Sequence, residues 1–360
     1  MKQTRTLNSA GRQAVLRLWI LFAALVALFF LSFVLGRYDV PLWQVVKIVV
    51  NSVLTGIQDL LARVGIHADL ALTQTWTSQQ EAVILNIRMP RIALACLVGS
   101  CLATAGTSYQ SVFQNPMAAP DILGASSGAC FGAALAILLG MSKSQITLMA
   151  FISSLATVAL VYLIGQRARG NQVMNILLAG VMVSSLFSAG TSYIKLVADP
   201  NNQLPEITYW LMGSLSGARD SDVKFVVWPI LVGMVPLMLL RWRINLLTLG
   251  DEEASSMGIN TTGLRLVVIL CATFLTASAV SVSGMIGWVG LVIPHLSRKL
   301  VGNDCRYLFP SAVLFGAIFM LLVDNVSRNL LATEIPIGIL TAVIGAPFFI
   351  YLMTRKERLI

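Results

Sequence analysis

Few side chains in this sequence could do covalent or metal chemistry, and their spacing argues against both. Histidine occurs twice, at His67 and His295, far apart and without acids at ligand spacing, so neither a metal centre nor His-based catalysis is expected. The five cysteines, Cys96, Cys101, Cys130, Cys271 and Cys305, form no CxxC pair, and four of them lie inside apolar runs. They read as small buried hydrophobes. No GxxxxGK(S/T) stretch is present, so the chain cannot cradle a nucleotide phosphate by the P-loop route. Leu215-Ser-Gly-Ala-Arg219 echoes an ATPase signature loop but stands without the rest of an ATPase domain. An intramembrane hydrolase would need a His/Asp or Ser/Lys arrangement that this sequence lacks.

The informative polar residues sit in connections. Between Arg241 and Arg265, Gly250 can end one short helix and Asp251 can cap another, with Glu252 and Glu253 at the positive end of its dipole. That second helix stops at Gly258 and spans barely two turns, too few to be stable alone. It is expected to expose Ala254, Met257 and Ile259. Such an element fits either a helix-in-groove contact with another protein or a solvated loop. Asp324 and Arg328 stand one helical turn apart, the spacing of an i,i+4 ion pair.

The elements that must position these residues are membrane spans. Hydrophobic side chains make up 57% of 360 residues and charged ones 11%, with a mean hydropathy of +0.81, against roughly 25% charged in soluble domains. That balance excludes a soluble enzyme. Ten apolar runs approach the ~20 residues needed to cross a bilayer. They are Leu18–Leu35, Ile92–Phe113, Ile122–Leu139, Ile146–Ile164, Val173–Val197, Val223–Leu240, Leu264–Val282, Met285–Leu300, Leu308–Leu331 and Ile337–Met353. The first follows a basic start without a small-residue cleavage site and reads as a retained span. The eighth is short and contains Pro294, which predicts a broken helix. Residues 42–61 resemble an eleventh span, but Gln44, Lys47, Asn51, Thr55 and Gln58 recur at helical spacing, so this is read as an amphipathic helix on the outer membrane surface. The whole chain, 1–360, is read as one transmembrane domain of all-α polytopic class.

Charge counting supports that topology. With ten spans and a cytoplasmic N-terminus, fifteen Lys/Arg and six acids fall inside, including Arg167, Arg169, Arg355, Lys356 and Arg358, and ten of each fall outside. The net charge of +9 then lies wholly on the cytoplasmic side, and both termini are cytoplasmic. No Lys/Arg cluster interleaves with aromatics, so the basic balance indicates membrane lipid and not nucleic acid. Gly99 to Gly106, Gly124 to Gly132 and Gly284 to Gly290 crowd small residues into spans, as close helix packing requires.

Seven short motifs then occur in order: Arg88-Met-Pro-Arg91; Gln114-Asn-Pro-Met-Ala-Ala-Pro-Asp-Ile-Leu-Gly-Ala-Ser-Ser-Gly128; Leu178-Ala-Gly-Val181; Tyr209-Trp-Leu-Met-Gly213; Leu249-Gly-Asp-Glu-Glu-Ala254; Gly290-Leu-Val-Ile-Pro-His295; and Ile335-Pro-Ile-Gly-Ile339. Together they closely resemble the FecCD permease family, the membrane subunits of bacterial ABC importers for iron-siderophores, haem and cobalamin. The resemblance implies a type II importer permease fold of about ten spans in the bacterial cytoplasmic membrane. It implies a second permease subunit, two ATPase subunits carrying ATP and Mg, and a periplasmic or lipid-anchored substrate-binding protein, with no cofactor on this chain. It makes Gly250, Asp251, Glu252, Glu253, Ala254, Met257 and Gly258 the coupling helix, and Arg88, Arg91 and Arg328 outer docking residues for the binding protein. It places Val173 and Met174 at a cytoplasmic constriction and Pro205, Trp210 and Gly213 on a re-entrant helix shaping the path. The loop of about fifty residues between the first two spans departs from the shorter family pattern.

A secondary transporter is the competing class. It predicts membrane-buried acids that titrate during transport, and the sequence offers only Asp324 at a span end. Within the family pattern, a ferric siderophore is the expected cargo, with haem and cobalamin as alternatives. Membrane-interface snorkelling is the other reading of the three arginines.

Overall fold

The computed structural model describes residues 2–63, 72–170 and 172–354, and the regular elements among them are all helical. His67, Arg355, Lys356 and Arg358 lie outside the described residues. In chain order the helices are α1 (Lys2–Val34), α2 (Leu42–Arg63), α3 (Ser78–Ala82), α4 (Met89–Val112), α5 (Ala125–Leu138), α6 (Lys143–Arg167), α7 (Gln172–Val197), α8 (Gln203–Leu211), α9 (Asp220–Leu247), α10 (Asp251–Ser256), α11 (Thr261–Ser283), α12 (Val289–Val301), α13 (Cys305–Asn329) and α14 (Ile337–Thr354).

Each of the ten expected spans coincides with one of these helices: α1, α4 to α7, α9 and α11 to α14. Among the described residues, seven helical stretches are long and apolar enough to cross a bilayer unaided. The other three, α5, α12 and α14, hold 14, 13 and 18 residues, or about 21, 20 and 27 Å. A 3-10 turn, Pro120–Leu123, leads into α5. Irregular backbone leads into α12, with Trp288 at φ +68° and Pro294 inside the helix, so the eighth span is broken as its sequence predicts.

Two boundaries differ from expectation. The second span does not start at Ile92: Ser78 to Val112 is one continuous helical stretch of 35 residues. It starts at Thr77, whose hydroxyl accepts from the Gln80 amide while the Gln80 side chain accepts from the Thr77 N–H, a reciprocal cap. Proline lacks an N–H and crowds the carbonyl four residues back, and the stretch accommodates Pro90 by widening to a π turn over Val83–Arg88, where the Met89 N–H reaches the Ile84 carbonyl. The second difference lies in α9, which runs past Leu240 to Leu247 and carries Arg241, Trp242 and Arg243 as helical residues. The connection expected over 241–265 therefore shrinks to the segment around α10.

Helix α4 forms the centre, buried on nearly every side against α13, α11, α12 and α9. Small residues permit this approach. A methyl group on Gly99 would overlap the Gly316 carbonyl of α13, and one on Gly106 would overlap the Gly290 backbone of α12, so these crossings bring backbone against backbone. A second group, α5, α6 and α7, leans on α11, while α1 lies along α13. Helix α7 is covered on one side only; Met174, Leu178, Val181, Met182 and Leu186 are exposed. Helix α2 is amphipathic over slightly more than the expected 42–61. Its Leu42, Trp43, Val46 and Val50 are exposed, Val45 and Ile48 are buried, and Asn51 accepts from the Leu72 N–H at 2.8 Å.

Candidate functional site

Two polar clusters stand out, one at each end of the bundle. At the first end, the starts of α4 and α14 meet the ends of α1 and α13. Arg91 donates from Nε to Asp324 Oδ1 at 2.8 Å and from Nη1 to Glu334 Oε1 and Oε2 at 2.8 and 2.9 Å. Arg328 donates to the Ser32 carbonyl at 2.6 Å and to the Asn325 side chain, and its Nε lies 3.6 Å from Asp324 Oδ2. Arg88 donates to the Phe33 and Tyr38 carbonyls. These three arginines come from opposite ends of the chain and line one cleft. As outer docking residues they are expected to face solvent, but Arg88, Arg91 and Arg328 are 4%, 8% and 8% exposed. The correction has a physical cause, since each guanidinium satisfies carbonyls or carboxylates that helix termini and a partner acid bring to it.

The arginines still line a cleft of about 250 Å³, together with Arg37, Tyr38 and Glu334. Three cationic groups besides Arg37 meet two carboxylates there, and Arg91 Nη2 is buried with no hydrogen-bond partner among the described residues. Glu334 is the residue that sequence reasoning missed. It precedes the Ile335-Pro-Ile-Gly-Ile339 motif but lies 243 positions from Arg91. Burial opposes its charge, yet the Arg91 fork outweighs that and holds the Glu334 carboxyl below the ordinary range. Ser327 Oγ donates to the Ile335 carbonyl at 2.6 Å and closes this loop onto α13.

At the second end, α10 sits between α9 and α11. Gly250, at φ +122°, lets the chain turn sharply out of α9, and Gly258, at φ +82°, ends the short helix. Asp251 is not the cap that its position suggests. The cap residue is Gly250, and Asp251 is the first helical residue, bound by Arg265 Nη2 at 2.7 and 3.0 Å. Met257 is exposed as expected and Glu252 and Glu253 are exposed beside it, whereas Ala254, expected to be exposed, is 0% exposed and Ile259 packs on the core. Ala254 therefore anchors the helix to the bundle and is not a contact waiting for a partner. Arg265, itself 5% exposed, ties α10 directly to the first turns of the buried helix α11.

The sequence model of the FecCD transport family matches residues 24–355. The chain belongs to the FecCD family. It is 42% identical over 279 residues to the molybdate import system permease protein MolB of Haemophilus influenzae, covering 78% of this chain and 83% of that protein. It is 38% identical over 299 residues to the hemin transport system permease protein HmuU of Yersinia pestis, covering 80% and 89%. A solved metal-chelate type ABC transporter in an inward-facing conformation superimposes with a TM-score of 0.80 at 38% identity, covering 93% of this chain and 98% of that one.

Against this FecCD permease fold, the other residues singled out in the sequence take clear places. Val173 and Met174 open α7, with Met174 largely exposed. Pro205 and Trp210 belong to the short helix α8, which rests on α5 through a Gln203 Nε2 bond to the Leu138 carbonyl at 3.0 Å. Gly213, at φ +72°, follows that helix, and a methyl group on it would press on the Met285 backbone. The Gly338 N–H reaches its carbonyl at 3.4 Å, and the neighbouring Ser214 N–H reaches the Ser283 carbonyl at 2.7 Å. The segment after α8 is thus pinned between the end of α11 and the start of α14.

Proposed function

We propose that this FecCD permease moves a ferric siderophore inward across the bacterial cytoplasmic membrane, powered by ATPase subunits that bind ATP and Mg. The carrying observation is α10: a two-turn acidic helix whose exposed face bears Glu252, Glu253 and Met257 while Ala254 and the Asp251–Arg265 fork fix its other face to α11. A push on that exposed face reaches α11 through a charged fork and a buried methyl, without passing through a flexible loop. The chain itself binds no cofactor in this reading. The Arg167, Arg241, Arg243 and Arg298 end is cytoplasmic by the positive-inside rule, as are both termini. A second permease subunit covers α7, leaving Val173 and Met174 near the inner constriction and Pro205, Trp210 and Gly213 beside the outer stretch of the path.

The Arg88, Arg91 and Arg328 cleft is then the outer docking site. A carboxylate of the binding protein enters beside Arg91 Nη2 and competes with Glu334 for the guanidinium. A cargo read chiefly by the binding protein requires of the permease only a wide, weakly adhesive passage. Uptake of radioactive iron as ferric siderophore, haem iron, cobalamin or molybdate into proteoliposomes holding the permease, its ATPase and its binding protein tests the cargo. Uptake of the siderophore alone is expected; uptake of haem, cobalamin or molybdate in its place contradicts the cargo assignment.

A further inference from the structure

The last turns of α9, the segment after α10 and the first turns of α11 enclose an open groove of about 870 Å³, within the range that holds a ligand of several hundred daltons. Its walls are largely apolar, formed by Leu240, Trp242, Met257, Leu264 and Val267, with Arg243 and Asn260 the polar residues among them. The acids near this end that form ion pairs are committed elsewhere, Asp251 to Arg265 at 2.7 Å and Asp304 to Arg306 at 2.6 Å. Arg243 is exposed and forms no ion pair with a described acid. The groove also continues an apolar face of α9 on which Trp228, Val232, Val235 and Leu239 are exposed. Trp242, at its mouth, lies under the Arg306 guanidinium at 5.3 Å, an aromatic and basic pairing suited to the headgroup level.

From this geometry we infer that the groove is a binding site for an anionic phospholipid, with an acyl chain against Leu240, Leu264 and Val267 and the phosphate on Arg243. The charge selects the ligand: a zwitterionic lipid offers the same chain but cancels its phosphate with a choline. The continuity with the α9 face favours a lipid over a protein segment, because a chain sliding along α9 enters the groove without leaving the bilayer. The inference rests on the reading of α9 as a membrane span with this end in the basic leaflet. A bound lipid would brace the α10 segment against α9 and α11.

Trp242 supplies the readout. The full chain is placed in nanodiscs containing either brominated phosphatidylglycerol or brominated phosphatidylcholine, and the fluorescence lost on Trp242→Phe isolates the signal of this residue. Quenching by the anionic lipid is expected at about fivefold lower mole fraction. Arg243→Gln should abolish that preference, Arg243→Lys should keep it, and millimolar inorganic phosphate should not displace the lipid. Equal quenching by both lipids, or a preference surviving in Arg243→Gln, would overturn the inference. Displacement by inorganic phosphate would make it a free anion site and overturn the lipid assignment, and protection of Trp242 only on adding the ATPase subunit would assign the groove to that protein. If neither lipid quenched Trp242, the membrane placement of α9 itself would fail, a result distinct from loss of charge preference.

Discussion

Asp324 sits between two arginines, nearly inaccessible to water, and the cluster depends on it. Removing one partner of a buried charge network leaves the others uncompensated, typically at about 3–5 kcal/mol. Asp324→Ala is therefore expected to destabilise the purified protein by that order in thermal or denaturant unfolding, while Asp39→Ala on the neighbouring loop should be near neutral. Equal, small effects would show that the arginines are held by the carbonyls alone. Glu334 gives a pH dependence with a defined sign. Its carboxyl is lowered in the fold, so its contribution is complete above the unfolded value of about 4.3 and is lost as pH falls through the folded value. Hydrogen exchange at the Ile335 amide, corrected for intrinsic rates, should lose protection over that acidic window in the wild type and show no such step in Glu334→Gln. An identical step in the variant would assign the loss to another group. The Asp324 and Arg328 spacing was legible in the sequence because it is local, whereas the pairing of Arg91 with Glu334 spans most of the chain and leaves no periodic trace. The burial of Arg88 was equally hidden, because the carbonyls it satisfies belong to the end of another helix.

Among the elements, α10 makes the clearest distinction between fixing a helix and using it. Glu253 is exposed, so Glu253→Lys should leave folding intact, weakening only the helix end by about 0.3–1 kcal/mol. It should nevertheless slow transport and reduce ATPase recovery in affinity purification. Ala254→Asp places a charge in the core and should instead lower thermal stability; wild-type melting with lost transport would return Ala254 to the partner surface. The α4 and α13 crossing offers a second test. Gly99→Leu must push the two helix backbones apart at Gly316, and overpacking of this kind costs about 1–3 kcal/mol. A lower melting temperature is expected, partly recovered by a cavity on the facing helix, as in Met320→Ala. The ten spans were readable because hydrocarbon thickness demands long apolar runs whatever their packing. Their ends were less so. Arg241 and Arg243 looked like the exit of α9, yet long basic side chains can reach water from a continuing helix, and the apolar run from Ile92 hid the helical turns before it, where a π turn absorbs Pro90.

At the scale of the whole molecule, the fold separates two ends of different character: a cleft rich in arginine between α1, α4, α13 and α14, and an acidic two-turn helix between α9 and α11. The transmembrane body between them is apolar and closely packed, and Asp324, the most deeply buried acid among the described residues, belongs to the arginine cluster at its end. In the proposed function, energy enters from partner ATPases through α10. The most direct measurement is cargo uptake into proteoliposomes containing the permease, ATPase and binding protein, with ATP sealed on the ATPase side and ionophores present to collapse every gradient. Uptake that persists with ionophores, stops without ATP, and falls at least several-fold with Glu253→Lys is the predicted result. Uptake that continues without ATP and disappears with ionophores would contradict it and identify a gradient-driven carrier.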